Sequence, residues 1–198
     1  MKRISRSTLI PILIWSTVMS LLLFIGDWLF ETVFIFGSVL QIFWFVMGVG
    51  VLAVSVIQSG WRGGLAALVA GALVVAASPF ISTAGSWSWA WASLQSHKAV
   101  YDQVVAQAAA LPDQGQIDGR QYRIERGPPV RIAFPQPVGV ADNWGAVIHD
   151  PSDAVATARG WTGKPPKHTV RSDLQELWGG DLLSCRRITG HYYRCWFT

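Results

Sequence analysis

Only two cysteines occur in the 198 residues, Cys185 and Cys195, and both lie beyond the last long apolar run. Thiols confined to that part of a chain point to a disulfide in an oxidising compartment. Redox exchange is the other chemistry open to a cysteine pair, but it uses C-x-x-C at a helix start, where a thiol pKa is lowered, and the spacing here is far wider. The flanking sequence predicts a hairpin around Thr189-Gly190. With those two residues alone as its loop, position 185 faces 194 and Cys195 points to the opposite side of the sheet. A cross-strand bond therefore requires an odd loop, such as Thr189-Gly190-His191, or a bulge.

His149, Asp150 and Asp153 stand close enough in sequence for acid/base or metal chemistry. Their spacing matches no established ligand pattern, and Asp150-Pro151-Ser152-Asp153 is what a turn uses for its own hydrogen bonds. His97, His168 and His191 are scattered, and no G-x-S-x-G, P-loop, G-x-G-x-x-G or H-E-x-x-H is present. No catalytic, metal or cofactor-binding residue is expected, and a role other than enzyme is favoured. Two basic stretches remain: Arg120, Arg123, Arg126 and Arg131, then Arg186, Arg187 and Arg194. If their hairpins pair, they form one cationic contact surface for anionic headgroups or an acidic partner; Asp118 and Glu125 among them also suit an ordinary solvated face.

The elements that carry these residues begin with three apolar runs, at 9–25, 33–57 and 65–81. A membrane-crossing helix needs roughly 20 apolar residues, so three transmembrane α-helices are expected in residues 1–81. Lys2, Arg3 and Arg6 precede the first run, Asp27 and Glu31 separate the first two, and Arg62 alone lies between the last two. Basic flanks stay on the cytoplasmic side, which puts the N-terminus inside and everything after residue 81 outside. No small-x-small cleavage site follows the first run, so it is expected to remain as an anchor. Trp28, Trp87, Trp89 and Trp91 cluster at the expected outer ends as interface anchors, with Phe30, Phe34 and Phe36 beside the first of them. Trp15 and Trp44 read as packing or lipid contacts, and Gln41 as a polar group that can bond across a helix interface but more often finds a local partner. Gly63, Ala67 and Gly71 recur every fourth residue and make a helix-packing face. Ser78-Pro79 is expected to kink or end the third helix. The runs themselves contain no ionisable side chain, which argues against a pump or ion-coupled conduit.

Residues 82–96 read as an outer-interface linker, with Ser82-Thr83-Ala84-Gly85-Ser86 at its core, and the start of an amphipathic helix over 89–111 that presents Leu94, Tyr101, Val104, Val105, Ala108 and Leu111. The rest, 97–198, reads as a small extracytoplasmic α+β domain. Period-two alternation predicts strands at 121–125, 130–134, 144–149, 154–158, 182–188 and 192–197, with a short helix over 172–178 ended by Gly179-Gly180. Asp142-Asn143-Trp144-Gly145 places an aromatic beside turn formers. From Lys98 onward twelve basic residues face ten acidic ones, so no nucleic-acid partner is implied. The sequence leads to the expectation of a multi-pass inner-membrane protein without cofactor, its periplasmic domain binding another envelope component. An accessory subunit of a transport or secretion complex and a membrane-bound envelope enzyme are the alternatives. The lipid bilayer, a membrane or envelope protein and a second copy of the chain are the partners considered.

Overall fold

A computed structural model describes residues 6–33, 35–136, 143–158, 174 and 176–198. The chain forms two compact units, Met1–Trp89 and Ala90–Thr198. Lys2, Arg3, Phe34, Asp142, His168 and the loop expected at 163–167 lie outside the described residues.

The first unit is helical: α1 (Arg6–Phe24), α2 (Gly26–Val33) and the start of α3 (Ile35–Gln107). Two helices, Arg6–Phe24 and Val39–Gln107, are long and apolar enough to cross a membrane by length and composition. The expected three separate helices are not found, because the second and third apolar runs are joined in α3 through a single non-helical residue, Gly60, at φ 60° and ψ −153°. A Cβ on Gly63 would collide with the Ser55 carbonyl, and one on Gly64 would lie 2.7 Å from Val56 Cγ2. Residues eight apart in a continuous helix are about 12 Å apart along its axis, so the chain turns back at Gly60. A left-handed φ suits glycine, and no loop is needed. A cavity of about 360 Å³ lined by Ile12, Trp15, Gly48, Ala67 and Gly71 places α1 and both arms of α3 side by side.

Three polar contacts in this unit cross between helices. Thr8 Oγ1 and Ser59 Oγ are 2.6 Å apart, Trp15 Nε1 donates to the Trp44 carbonyl at 2.7 Å, and Gln41 Nε2 donates to the Leu22 carbonyl at 3.3 Å. Gln41 thus bonds to α1, not to a local partner. The helix also continues through Pro79, where the sequence suggests a kink or a stop. Proline leaves the carbonyl four residues earlier without its donor, and Ser78 Oγ donates to that group, the Val75 carbonyl, at 2.8 Å. Residues 82–86 are helical as well, so the expected linker is a stretch of α3.

The second unit is a seven-stranded antiparallel sheet in the order β1-β2-β3-β4-β7-β6-β5. The strands are β1 (Gln114–Ile117), β2 (Arg120–Glu125), β3 (Arg131–Gln136), β4 (Trp144–His149), β5 (Glu176–Leu177), β6 (Gly180–Thr189) and β7 (Tyr192–Phe197). Alternation along the strands divides the core. One face carries Tyr122, Ile124, Ile132, Phe134 and Val147 against Leu94, Tyr101, Val104 and Ala108 of α3; Tyr101 stacks on Phe134 with ring centroids 4.0 Å apart. The other face carries Ala133, Ala146, Ile148, Tyr193 and Phe197 against Val155, Ala158 and Leu174.

Three local expectations change. Ala154–Thr157 is a 3-10 turn instead of a strand, because the Asp150 carboxylate accepts the Val155 N–H at 2.9 Å and curls the chain. Glu176 and Leu177 pair with Asp181 and Gly180 as a strand. They lie in the stretch expected to be a short helix, and Trp178 and Gly179, at φ 54° and 82°, make the two-residue turn. Strand β1 has no expected counterpart; it is joined to β2 by Asp118-Gly119, at φ 46° and 75°.

Candidate functional site

The C-terminal hairpin fixes the best-defined covalent feature. Its loop is Gly190-His191, since Thr189 pairs with Tyr192; the register then shifts by one between Thr189 and Arg187, so that Cys185 faces Cys195 and Arg186 faces Arg194. A bulge thus supplies the parity change that a direct cross-strand disulfide requires. The two cysteines are bonded, with Cα atoms 4.1 Å apart, and Cys195 is fully buried.

The seven arginines do not form one surface. The two hairpins do not pair, because β4 lies between β3 and β7, and alternation divides the side chains between the faces. Arg123 shares a face with Ala133 and Arg187 with Tyr193, whereas Arg194 shares the opposite, helix-covered face with Val147. Arg131 is not a surface group: it is 5% exposed and its Nε lies 3.3 Å from Asp150 Oδ1. Arg126 is bound to Asp113 and to the Leu111 carbonyl, and Arg120 to His97. Arg123 donates to the Trp178 carbonyl at 3.0 Å and lies over the Trp144 ring. What remains together on one face is Arg186, Arg194 and Trp196, with the Arg194 guanidinium 5.3 Å from the Trp196 ring centroid.

The polar cluster at 149–153 is organised to hold its turn. Asp150 Oδ1 accepts from the Ser152 N–H at 3.0 Å and from Ser152 Oγ at 2.6 Å. Burial disfavours its charge, yet the bonds from Ser152 and Val155 and the Arg131 charge outweigh this and hold its pKa below the usual carboxylate range. Asp153, at φ 59°, receives Tyr193 Oη at 2.7 Å, His191 Nδ1 at 2.9 Å and Arg187 at 2.7 Å. Those contacts, the Tyr193 bond foremost, lower its pKa to about 2. His149 is pushed below the usual imidazole value by burial and then by the His191 charge. Across the opposite face Tyr192 Oη donates to Asp102 at 2.7 Å, and Asp102 pairs with Lys98 at 2.5 Å, a tie between α3 and β7 that spacing alone does not reveal. Each of the carboxylates here has a structural partner, and the His149 ring packs against those of Tyr192 and His191. Among the described residues no group of three or more His, Cys, Asp or Glu is placed to hold a metal.

In the helical unit, Trp28 and Trp87 are 41% exposed, and Trp89 Nε1 is bound to Glu31. Trp91, 44% exposed, belongs to the sheet unit. Gly63 meets the first arm of α3, while Ala67 and Gly71 border the cavity beside Trp15 of α1. The chain matches no family model, no curated protein and no solved structure.

Proposed function

We propose that this chain is an integral inner-membrane protein that crosses the bilayer three times, through α1 and the two arms of α3, and displays its disulfide-bearing sheet unit in the periplasm, where that unit binds another envelope component. The observation that carries this reading is the apolar outer surface of the helical unit. Ile57 is 83% exposed, Phe80 77%, Trp61 72% and Leu73 65%, and many more apolar side chains of α1 and α3 also face outward. A helix in the core of a soluble protein would bury such groups; monomeric soluble proteins rarely expose apolar patches beyond a few hundred Å². Hydrocarbon accommodates them without cost.

Orientation rests on charge. Arg6 and Arg62 belong at one side of the apolar layer and Asp27 and Glu31 at the other, and basic flanks remain cytoplasmic. The reversal at Gly60 lets two crossings follow each other with no polar loop. The Cys185–Cys195 bond suits an oxidising compartment.

Fusion of an export-dependent reporter after Thr198 tests the arrangement. The expected result is an active exported reporter and an inactive cytoplasmic one at that position. The reverse pattern overturns the topology and the periplasmic role together.

A further inference from the structure

Strands β1 and β5 end the sheet, and the two edges differ. β5 is two residues long and begins with the charge of Glu176. β1 reads Gln-Gly-Gln-Ile, with no charge, no proline and no register shift against β2. Charges, prolines and bulges are the devices by which natural sheets keep an edge from pairing with another chain, and among the described residues no strand lies on the outer side of β1. The direction of its backbone groups follows from the ladder. The Asp113 carbonyl accepts from the Ile124 N–H of β2, and successive residues of an antiparallel strand turn their N–H and C=O groups to alternate sides. Gly115 and Ile117 therefore bond to β2, while Gln114 and Gln116 present theirs outward. The Gln114 and Gln116 side chains share one sheet face with their β2 partners Arg123 and Gln121, and a groove of about 410 Å³ lies among them. Between the two glutamines only glycine fits, because an added Cβ on Gly115 would collide with the Tyr122 hydroxyl.

We propose that two copies of this chain join through β1, antiparallel across a two-fold axis at Gly115, into one continuous sheet. With Gly115 on the axis, Gln114 of one copy stands opposite Gln116 of the other, and their outward N–H and C=O groups exchange hydrogen bonds on both sides of the axis. Gly115 meets its own counterpart as a non-hydrogen-bonded pair, in which Cα atoms approach to about 4.5 Å, and no side chain obstructs that approach. The edge is self-complementary for a chemical reason. A carboxamide both donates and accepts, so glutamine matches glutamine, whereas a charged residue at either position would meet its own charge in the second copy or require a different protein. In this register Asp113 and Asp118 fall opposite Ile117 and Pro112, so no two carboxylates face each other. The groove leaves room for the glutamine side chains that the second copy brings to that face. Because both copies use the same patch, the contact is isologous and closes on itself. The pairing does not depend on the topology proposed above.

Sedimentation equilibrium of the full-length chain in a density-matched neutral detergent tests this through the dimer dissociation constant. The wild type is expected to dimerise. A Q114K/Q116K variant sets lysine opposite lysine at both pairs and should weaken dimerisation about tenfold; Q114E/Q116E should do the same with carboxylates. An equimolar mixture of the two variants sets each lysine opposite a glutamate and should restore dimers to the wild-type level, a rescue that a misfolded β1 could not give. A monomeric wild type overturns the inference, whether its edge stays bare or holds another protein. Dimerisation of either charged variant as tight as that of the wild type also overturns it, since the copies then meet through a different surface. So does a mixture that stays monomeric. None of these outcomes bears on the membrane topology, which the reporter fusion reads by itself.

Discussion

Asp153 illustrates how side chains with apparent chemistry are bound into structure. Its carboxylate joins the turn at 150–153 to the C-terminal hairpin through Tyr193, His191 and Arg187. A carboxyl held at about pKa 2 in the fold and near 3.9 when unfolded binds more protons unfolded than folded in that interval. Its contribution is therefore complete above about pH 4 and is lost as pH falls towards 2. Asparagine keeps the shape, tolerates φ near +60° and cannot titrate. Denaturant unfolding of the sheet unit in the full-length chain should show Asp153→Asn less stable than wild type at pH 7, with the difference shrinking steadily from pH 4 to pH 2. A difference that stays constant across that range would mean the ionised carboxylate contributes nothing. The sequence named His149, Asp150 and Asp153 and favoured the turn. It gave no sign of Tyr193 or Arg187 as partners, because those contacts depend on which strands neighbour each other.

At the scale of elements, the strands that alternate clearly were legible: β4 and β7 occupy the expected residues, and β2, β3 and β6 differ only at their ends. The hidden elements are those whose residues carry no period. β1, Gln114–Ile117, is polar on an open edge, and only the Asp118-Gly119 dipeptide, a strong hairpin signal, marks it. The strand at Glu176–Leu177 is too short to alternate. Serine, glycine and alanine at 82–86 resemble a linker by composition, yet small residues suit close helix packing equally well: a Cβ on Gly85 would collide with the Phe24 carbonyl. The reversal at Gly60 depends on the same closeness, which leads to a contrast between two substitutions. Gly63→Ala drives a methyl group into the Ser55 carbonyl and should destabilise the helical unit by about 1–3 kcal/mol. Gly50→Ala, with nothing within 4 Å of the new Cβ, should be neutral or stabilising by roughly 0.5–1 kcal/mol from helix propensity. Thermal midpoints in detergent distinguish them, and equal midpoints would show that the two arms do not pack at Gly63.

For the whole molecule, the division between an apolar helical unit and a sheet unit was readable from the distribution of apolar runs, charges and cysteines. The boundary was less so: it falls at Trp89/Ala90 within one helix, not at a polar connection. Because the disulfide lies wholly within the sheet unit, its loss has a local expected effect. The bond closes a loop of separation 10, worth about 2–3 kcal/mol by the chain-entropy estimate, and it ties the interior strand β7 to β6. Its removal should loosen the C-terminal strands and leave the helical unit intact. Limited proteolysis of Cys185→Ser in membranes is expected to give faster cleavage near the C-terminus and a protected helical fragment that stays in the membrane pellet. Unchanged C-terminal cleavage would mean the register is held by the strand pairing alone. Loss of the helical fragment at the same rate would mean that the two units unfold as one.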